Sequence, residues 1–73
     1  MKMTDKRLLK ELMKNSHYTI SKMAKDLGIS RQCFFKKING ITEFKQSEIL
    51  NISKRLNLSN EQMYQIFFAN VVG

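Results

Sequence analysis

The segment Leu27-Gly28-Ile29-Ser30 joins two stretches of sequence that both have helical periodicity, and it constrains the fold more than any other part of the chain. Glycine accepts the positive φ that often follows the last turn of a helix, and a serine hydroxyl caps the first turn of the next one. Ala24 is small where the two helices must approach each other closely. Such a short connection predicts a helix-turn-helix arrangement over residues Thr19 to Asn39.

Apolar residues recur with helical spacing along most of the chain, separated by capping residues and short loops. We expect a first helix at Asp5–Asn15 with Thr4 as the N-cap, a second at Ile20–Leu27 capped by Thr19, and a third from the Ser30 cap to about Asn39. A fourth helix is expected at Gln46–Leu56, with apolar Ile49, Leu50, Ile52 and Leu56. A fifth helix is expected to start at the capping box Ser59-Asn60-Glu61-Gln62. The fold class is therefore all-α, a compact five-helix domain. We expect one domain over residues 1–73, with a core at about 5–68 and a short tail at 69–73.

The size and composition limit what this chain can do. With 73 residues it is near the lower limit for a single apolar core, which leaves no room for an elaborate catalytic cleft. No apolar run approaches the roughly 20 residues of a membrane span, and the charged N-terminal segment does not have the pattern of a signal peptide. The single cysteine, Cys33, cannot form an internal disulfide, so we expect a cytoplasmic protein.

Positive charge is concentrated in the first two-thirds of the chain. The net charge is +7 overall; residues 1–18 have +3, residues 19–45 have +4 and residues 46–73 have zero. Such a distribution is typical of polyanion binding, although basic residues that only keep the surface soluble would give the same count.

The third predicted helix has two chemically different faces. At about 100° per residue, Phe34 and Ile38 face the core together. Another face then carries a guanidinium, an amide, an aromatic ring and an ammonium, from residues Arg31, Gln32, Phe35, Lys36 and Asn39. Arg binds guanine and Gln binds adenine in a bidentate manner in the major groove, and an exposed Phe packs on a thymine methyl. The set favours contact with double-stranded DNA over the alternative of a solvated helix face.

The sequence of residues 19–32, TISKMAKDLGISRQ, resembles the helix-turn-helix of the phage Cro/repressor family (xenobiotic-response-element type). Asn39-Gly40-Ile41 and the segment from Ser47 to Ser59 also resemble that family, and the resemblance covers about residues 5–68. It implies a lambda-repressor-like domain that represses transcription by occupying an operator as a dimer. The alternative from another functional class is a protein–protein adaptor on the same scaffold, such as an antirepressor or antitoxin-like module, which would bind protein through the Phe35 face.

The resemblance also implies which residues contact DNA. Base contacts are expected from Ser30, Arg31, Gln32, Phe35 and Lys36, and phosphate contacts from Thr19, Ser21, Lys22, Asn39, Thr42 and Lys45. Ile20 departs from the family pattern, in which Gln is common at the first position of the second helix. A contact made there must be lost or replaced by Ser21 or Lys22, although the backbone N–H groups at the helix start remain available to a phosphate.

The last third of the chain predicts a second kind of partner. Phe67, Phe68, Val71 and Val72 cannot all face one small core, because consecutive residues on a helix diverge by about 100°. Helix-turn-helix regulators usually bind as two-fold dimers, so we expect a homodimer through the fifth helix and the tail. The alternative is that both phenylalanine rings close the core of the monomer.

Other chemistry has little support in the sequence. His17 has no second ligand at metal spacing, and no phosphate-binding loop or nucleophile–base arrangement is present, so we expect no metal, no cofactor, no small-molecule ligand and no enzymatic activity. Cys33 lies between Arg31 and Lys36, where a thiol can act as an oxidant sensor, but a small residue at the edge of the recognition helix is the simpler interpretation.

Overall fold

The computed structural model describes residues 4–68, and every regular element in that range is a helix. The helices are α1 (Lys6–Asn15), α2 (Ile20–Leu27), α3 (Arg31–Ile38), α4 (Gln46–Arg55) and α5 (Asn60–Phe67). The all-α prediction is therefore confirmed; α1 to α4 start and end within about a residue of their predicted bounds, and α5 starts directly after Ser59 as predicted. None of the helices in the described range is long and apolar enough to cross a membrane.

Short polar side chains cap the starts of four of the helices. Thr19 Oγ1 accepts from the N–H of Lys22 at 3.1 Å. Ser59 Oγ accepts from Gln62 N, whose side chain in turn accepts from Ser59 N, so the predicted capping box is present. The prediction of Thr4 as the cap of α1 is wrong, because Asp5 holds that position. Its carboxylate accepts from the N–H of Leu8 at 3.1 Å and is also favourably placed near the positive end of the helix.

Four helices end with the same left-handed turn. Gly28 has φ of 74°, and the N–H groups of Gly28 and Ile29 donate to the carbonyls of Lys25 and Ala24, both at 3.0 Å. This pair of bonds is the Schellman motif. Gly40 ends α3 in the same way, whereas residues with a Cβ occupy the equivalent positions after α1 and α4, His17 with φ of 60° and Asn57 with φ of 53°. The glycines are favoured there, and His17 and Asn57 are held in a costly conformation.

The core lies where the five helices meet. Its buried hydrophobic residues are Leu9, Met13, Met23, Ala24, Phe34, Ile38, Ile49, Ile52, Leu56, Ile66 and Phe67. Helix α2 packs on α3 and α4, while α5 packs on α1 and α4. The α4 pattern predicts that Leu50 packs in the core, and this prediction is wrong, because its side chain is 56% exposed. It is one residue from Ile49, and that step turns the side chain about 100° away from the packed face.

Candidate nucleic-acid interface

Helix α3 is fixed to the body of the protein by its inner face. Phe34 is completely buried and Ile38 is 1% exposed. The ring of Phe34 also makes an edge contact with Phe44, with ring centroids 6.0 Å apart. At the N-terminal end, Ser30 Oγ accepts from the N–H of Cys33 at 3.0 Å, which leaves the hydroxyl proton of Ser30 free to donate outward. The inner face therefore fixes α3 against the core, and the opposite face remains at the surface.

The outer face of α3 carries the residues that the sequence assigned to base contacts. Ser30, Arg31, Gln32 and Lys36 are exposed, and Phe35 is half-buried. Within residues 4–68, no ion pair or side-chain hydrogen bond engages Arg31, Gln32 or Lys36. Two cations and an amide thus stand without partners on one face, opposite a buried stripe.

The start of α2 presents a second group of polar residues. Thr19 caps the helix with its oxygen and keeps its hydroxyl proton, and Ser21 and Lys22 are exposed. The ammonium of Lys22 lies 5.1 Å from the centre of the Tyr18 ring. Ile20 is half-buried and packs against the core, which explains why an apolar residue is tolerated at this position. Thr19 takes the N–H groups of Lys22 and Met23, which leaves those of Ile20 and Ser21 without a partner inside the helix.

The third group follows the end of α3. Asn39 caps that helix, Thr42 lies in the loop after it, and Lys45 is the N-cap residue of α4; all three are exposed. Lys45 donates its backbone N–H to Glu48 Oε1 at 2.8 Å, and its ammonium, which can only donate, takes no part in capping α4. The structure also brings Lys6 to this group, since Lys6 Nζ donates to Asn39 Oδ1 at 3.2 Å. Sequence reasoning missed Lys6, because the two residues are 33 positions apart.

The charge count places Lys37 on the positive surface, but the fold buries its side chain. Its side chain is 8% exposed, and Nζ donates to Glu48 Oε1 at 2.7 Å and to the carbonyl of Glu43 at 3.2 Å. These contacts of Lys37 link α3 to α4 and to the loop between the two helices. The signal in the sequence was the position of Lys37, only about 60° from Phe34 on the helix and therefore close to the buried face.

A second polar cluster fastens α2 to α4. Arg55 Nη1 lies 3.4 Å from Asp26 Oδ2, an oxygen that is buried and has no hydrogen bond, so the contact is an ion pair without hydrogen-bond geometry. Arg55 Nε donates to Asn51 Oδ1 at 2.6 Å. A hydrogen bond with Tyr18 raises the pKa of Arg55 above its usual value, and the charge of Asp26 acts in the same direction. Arg55 thus links α4 to α2 through an ion pair that is partly exposed and contributes little to stability.

The predicted dimer residues are in different environments. Phe67 is 7% exposed and its ring lies 5.3 Å from that of Phe44, so it fills the core of its own protomer. Phe68 is half-buried and lines a groove of about 310 Å³, whose walls also include Phe44, Ile49 and Thr42. Val71 and Val72 lie outside the described residues. Of the two phenylalanines, Phe68 is the one with surface to offer a partner.

The described residues contain no group of three or more His, Cys, Asp and Glu side chains placed to hold a metal ion. His17 forms the left-handed turn after α1, which is a structural role that the sequence pattern did not indicate. Cys33 is half-buried beside the outer face of α3.

Comparison with known proteins agrees with the geometry. The family described as "Bacterial regulatory protein, Fis family" matches residues 1–39, which is more than half of the chain and ends at the last residue of the predicted helix-turn-helix. No curated protein and no solved structure matches the chain. The match covers α1, α2 and α3, while the narrower resemblance to phage Cro/repressor-type proteins stays a prediction. The chain belongs to the Fis family of bacterial regulatory proteins and is a helix-turn-helix, DNA-binding transcriptional regulator.

Proposed function

We propose that this protein is a sequence-specific repressor of the phage or prophage Cro/repressor-like type, which occupies an operator in double-stranded DNA as a dimer. The observation that carries the proposal is the outer face of α3, where Arg31, Gln32 and Lys36 are exposed, with no side-chain partner among residues 4–68, opposite the buried Phe34 and Ile38. A helix mounted in this way fits the major groove, which admits one α-helix.

Base recognition rests on the chemistry of that face. Arg31 presents two parallel donors that match guanine O6 and N7, and Gln32 presents a donor and an acceptor that match adenine. Phe35 is half-buried, so only the edge of its ring is offered to a thymine methyl. Ser30 donates its free hydroxyl proton, and Lys36 adds a charge on the same side of the helix.

Phosphate contacts position the protein on the duplex. Thr19, Ser21 and Lys22 are exposed at the start of α2, where a phosphate can accept from the side chains and from the N–H groups of Ile20 and Ser21. Asn39, Thr42 and Lys45 form the corresponding group after α3. Because Lys6 donates to the side-chain oxygen Oδ1 of Asn39, the side-chain nitrogen Nδ2 is left to donate to a phosphate.

The dimer is proposed to form through α5 and the tail, with Phe68, Val71 and Val72 at the contact and Phe67 supporting it from within the protomer. Two protomers related by a two-fold axis place their α3 helices about 34 Å apart, one turn of DNA. The protein then acts by occupying a promoter-overlapping site in the bacterial cytoplasm or nucleoid, without a chemical step, a cofactor or a small-molecule ligand. The whole chain is proposed to be one domain.

The salt dependence of DNA binding tests this proposal. If a dimer neutralises about eight phosphates, the logarithm of the association constant falls with the logarithm of salt concentration at a slope of about −7. Fluorescence anisotropy of a labelled mixed-sequence duplex of about three helical turns measures that slope. A slope near zero contradicts DNA binding and favours a protein–protein adaptor on the same scaffold.

A further inference from the structure

Helix α1 carries an exposed basic stripe that the proposed DNA contacts leave unused. Lys6, Lys10 and Lys14 are all exposed and follow one another at intervals of four residues. Side chains at this spacing lie about 40° apart around the helix, so the three ammonium groups share one face. We call these three residues the α1 lysine stripe.

The stripe is more uniform in charge than an ordinary solvated helix face. Exposed helices that are stabilised by ion pairs alternate acidic and basic residues, whereas like charges four residues apart destabilise a helix. Glu11 is the acidic residue within α1; it lies three residues before Lys14 and four after Arg7, so it borders only the C-terminal end of the stripe. The charged residues three or four positions from Lys10 are all basic. Since the fold tolerates this repulsion at Lys10, an anionic partner for the stripe is a more economical explanation than solubility.

One end of the stripe is anchored to the proposed DNA surface. Lys6 Nζ donates to Asn39 Oδ1 at 3.2 Å, so the stripe begins at the residue proposed to hold a phosphate after α3. The other end reaches the turn that leads into α2, because the N–H of His17 donates to the carbonyl of Lys14 at 3.1 Å. The stripe therefore extends from Asn39 at one end of α1 to the turn before α2 at the other.

From this placement we infer that the α1 lysine stripe binds backbone phosphates of the DNA that flanks the site read by α3. The stripe is about 12 Å long at a rise of 1.5 Å per residue. That length equals the rise of three to four base pairs at about 3.4 Å each, so the stripe lengthens the contacted segment by that amount. Phosphate contacts of this kind add affinity without reading sequence. The inference rests on the proposed function, because it needs the same duplex to be bound.

The test compares two variants that lower the net charge by the same amount. In the first, Lys10→Gln is combined with Lys14→Gln, which leaves the Lys6–Asn39 bond intact. In the control, Lys54→Glu lowers the net charge by the same two units at an exposed position of α4, outside both the helix-turn-helix and α5. Surface substitutions of this kind leave the folded state intact, and thermal melts of all proteins check this.

The readout is the salt slope on the same mixed-sequence duplex. If both lysines neutralise phosphates, the stripe variant has a slope shallower than wild type by about 1.8 per bound protomer, at about 0.9 per phosphate. The control variant keeps the wild-type slope. If the stripe variant and the control have equal slopes, the inference about the stripe is overturned. A steep wild-type slope in the same experiment still supports DNA binding. A wild-type slope near zero overturns the proposed function itself and the inference with it.

Discussion

The buried ion pair between Lys37 and Glu48 gives a sharp prediction about stability. The two side chains are 8% and 9% exposed and their charged atoms are 2.7 Å apart. Lys37→Met removes the ammonium but keeps the length of the side chain, so the Glu48 carboxylate is left buried with a single hydrogen bond, from the N–H of Lys45. Breaking a buried pair in this way costs about 3–5 kcal/mol.

We expect the lower end of that range, about 3 kcal/mol, because the pair keeps slight exposure and Glu48 keeps one donor. A domain of this length has a free energy of unfolding of roughly 4–11 kcal/mol, so the substitution removes a large part of it. The corresponding fall in the melting temperature is roughly 12–24 °C. Urea denaturation followed by circular dichroism measures the change in unfolding free energy directly.

Two further proteins separate the ion pair from side effects of the substitution. Lys36→Met makes the same chemical change at the exposed neighbouring residue and is expected to alter stability by no more than about 0.5 kcal/mol. Combining Lys37→Met with Glu48→Gln removes both charges and keeps an acceptor for Lys45 N–H, so most of the lost stability returns. Equal stability of Lys37→Met and Lys36→Met, or a double variant no more stable than Lys37→Met alone, contradicts a stabilising role of the Lys37–Glu48 pair.

The left-handed turns and the proposed dimer give the remaining predictions. His17→Gly relieves a side chain at φ of 60° and raises the unfolding free energy by about 0.5–1 kcal/mol, whereas Gly28→Ala lowers it by about 1 kcal/mol. A Cβ at Gly28 would meet no atom within 4 Å, so the cost arises from the backbone alone, and opposite shifts in thermal melts check both changes. Phe68→Ala weakens the proposed dimer without unfolding the protomer; sedimentation at tens of micromolar that gives the monomer mass for both wild type and variant contradicts the dimer.

The sequence predicts the helices well because their ends carry strong local signals. Thr19, Ser30 and Ser59 each cap a helix where expected, and Gly28 and Gly40 take the positive φ that a Schellman turn requires. The error at Thr4 shows the limit of such signals. Thr4 and Asp5 are both good caps, and the choice depends on tertiary contacts such as the hydrogen bond from Asp5 N to the carbonyl of Ile66 at 2.7 Å.

The candidate site was predictable only where it lies within one helix. The inward and outward faces of α3 follow from helical geometry, so Phe34 and Ile38 were correctly placed in the core. The contacts of Lys6 with Asn39 and of Lys37 with Glu48 join different helices, and a charge count cannot distinguish a lysine that faces solvent from one that closes a buried pair. Phe67 and Phe68 differ for the same reason, since packing against Phe44 decides which ring is buried.

Selection of bound sequences from a random duplex pool, performed in parallel with wild type and Arg31→Ala, tests the central claim most directly. We expect a defined motif for wild type, with the preference at one base pair lost in Arg31→Ala at a cost of about 1–3 kcal/mol on the wild-type site. Lys45→Ala, the matched loss of a phosphate contact, keeps the motif and weakens all sequences about equally. No enriched motif for wild type, or an identical motif for wild type and Arg31→Ala, contradicts the assignment of the α3 face to base recognition.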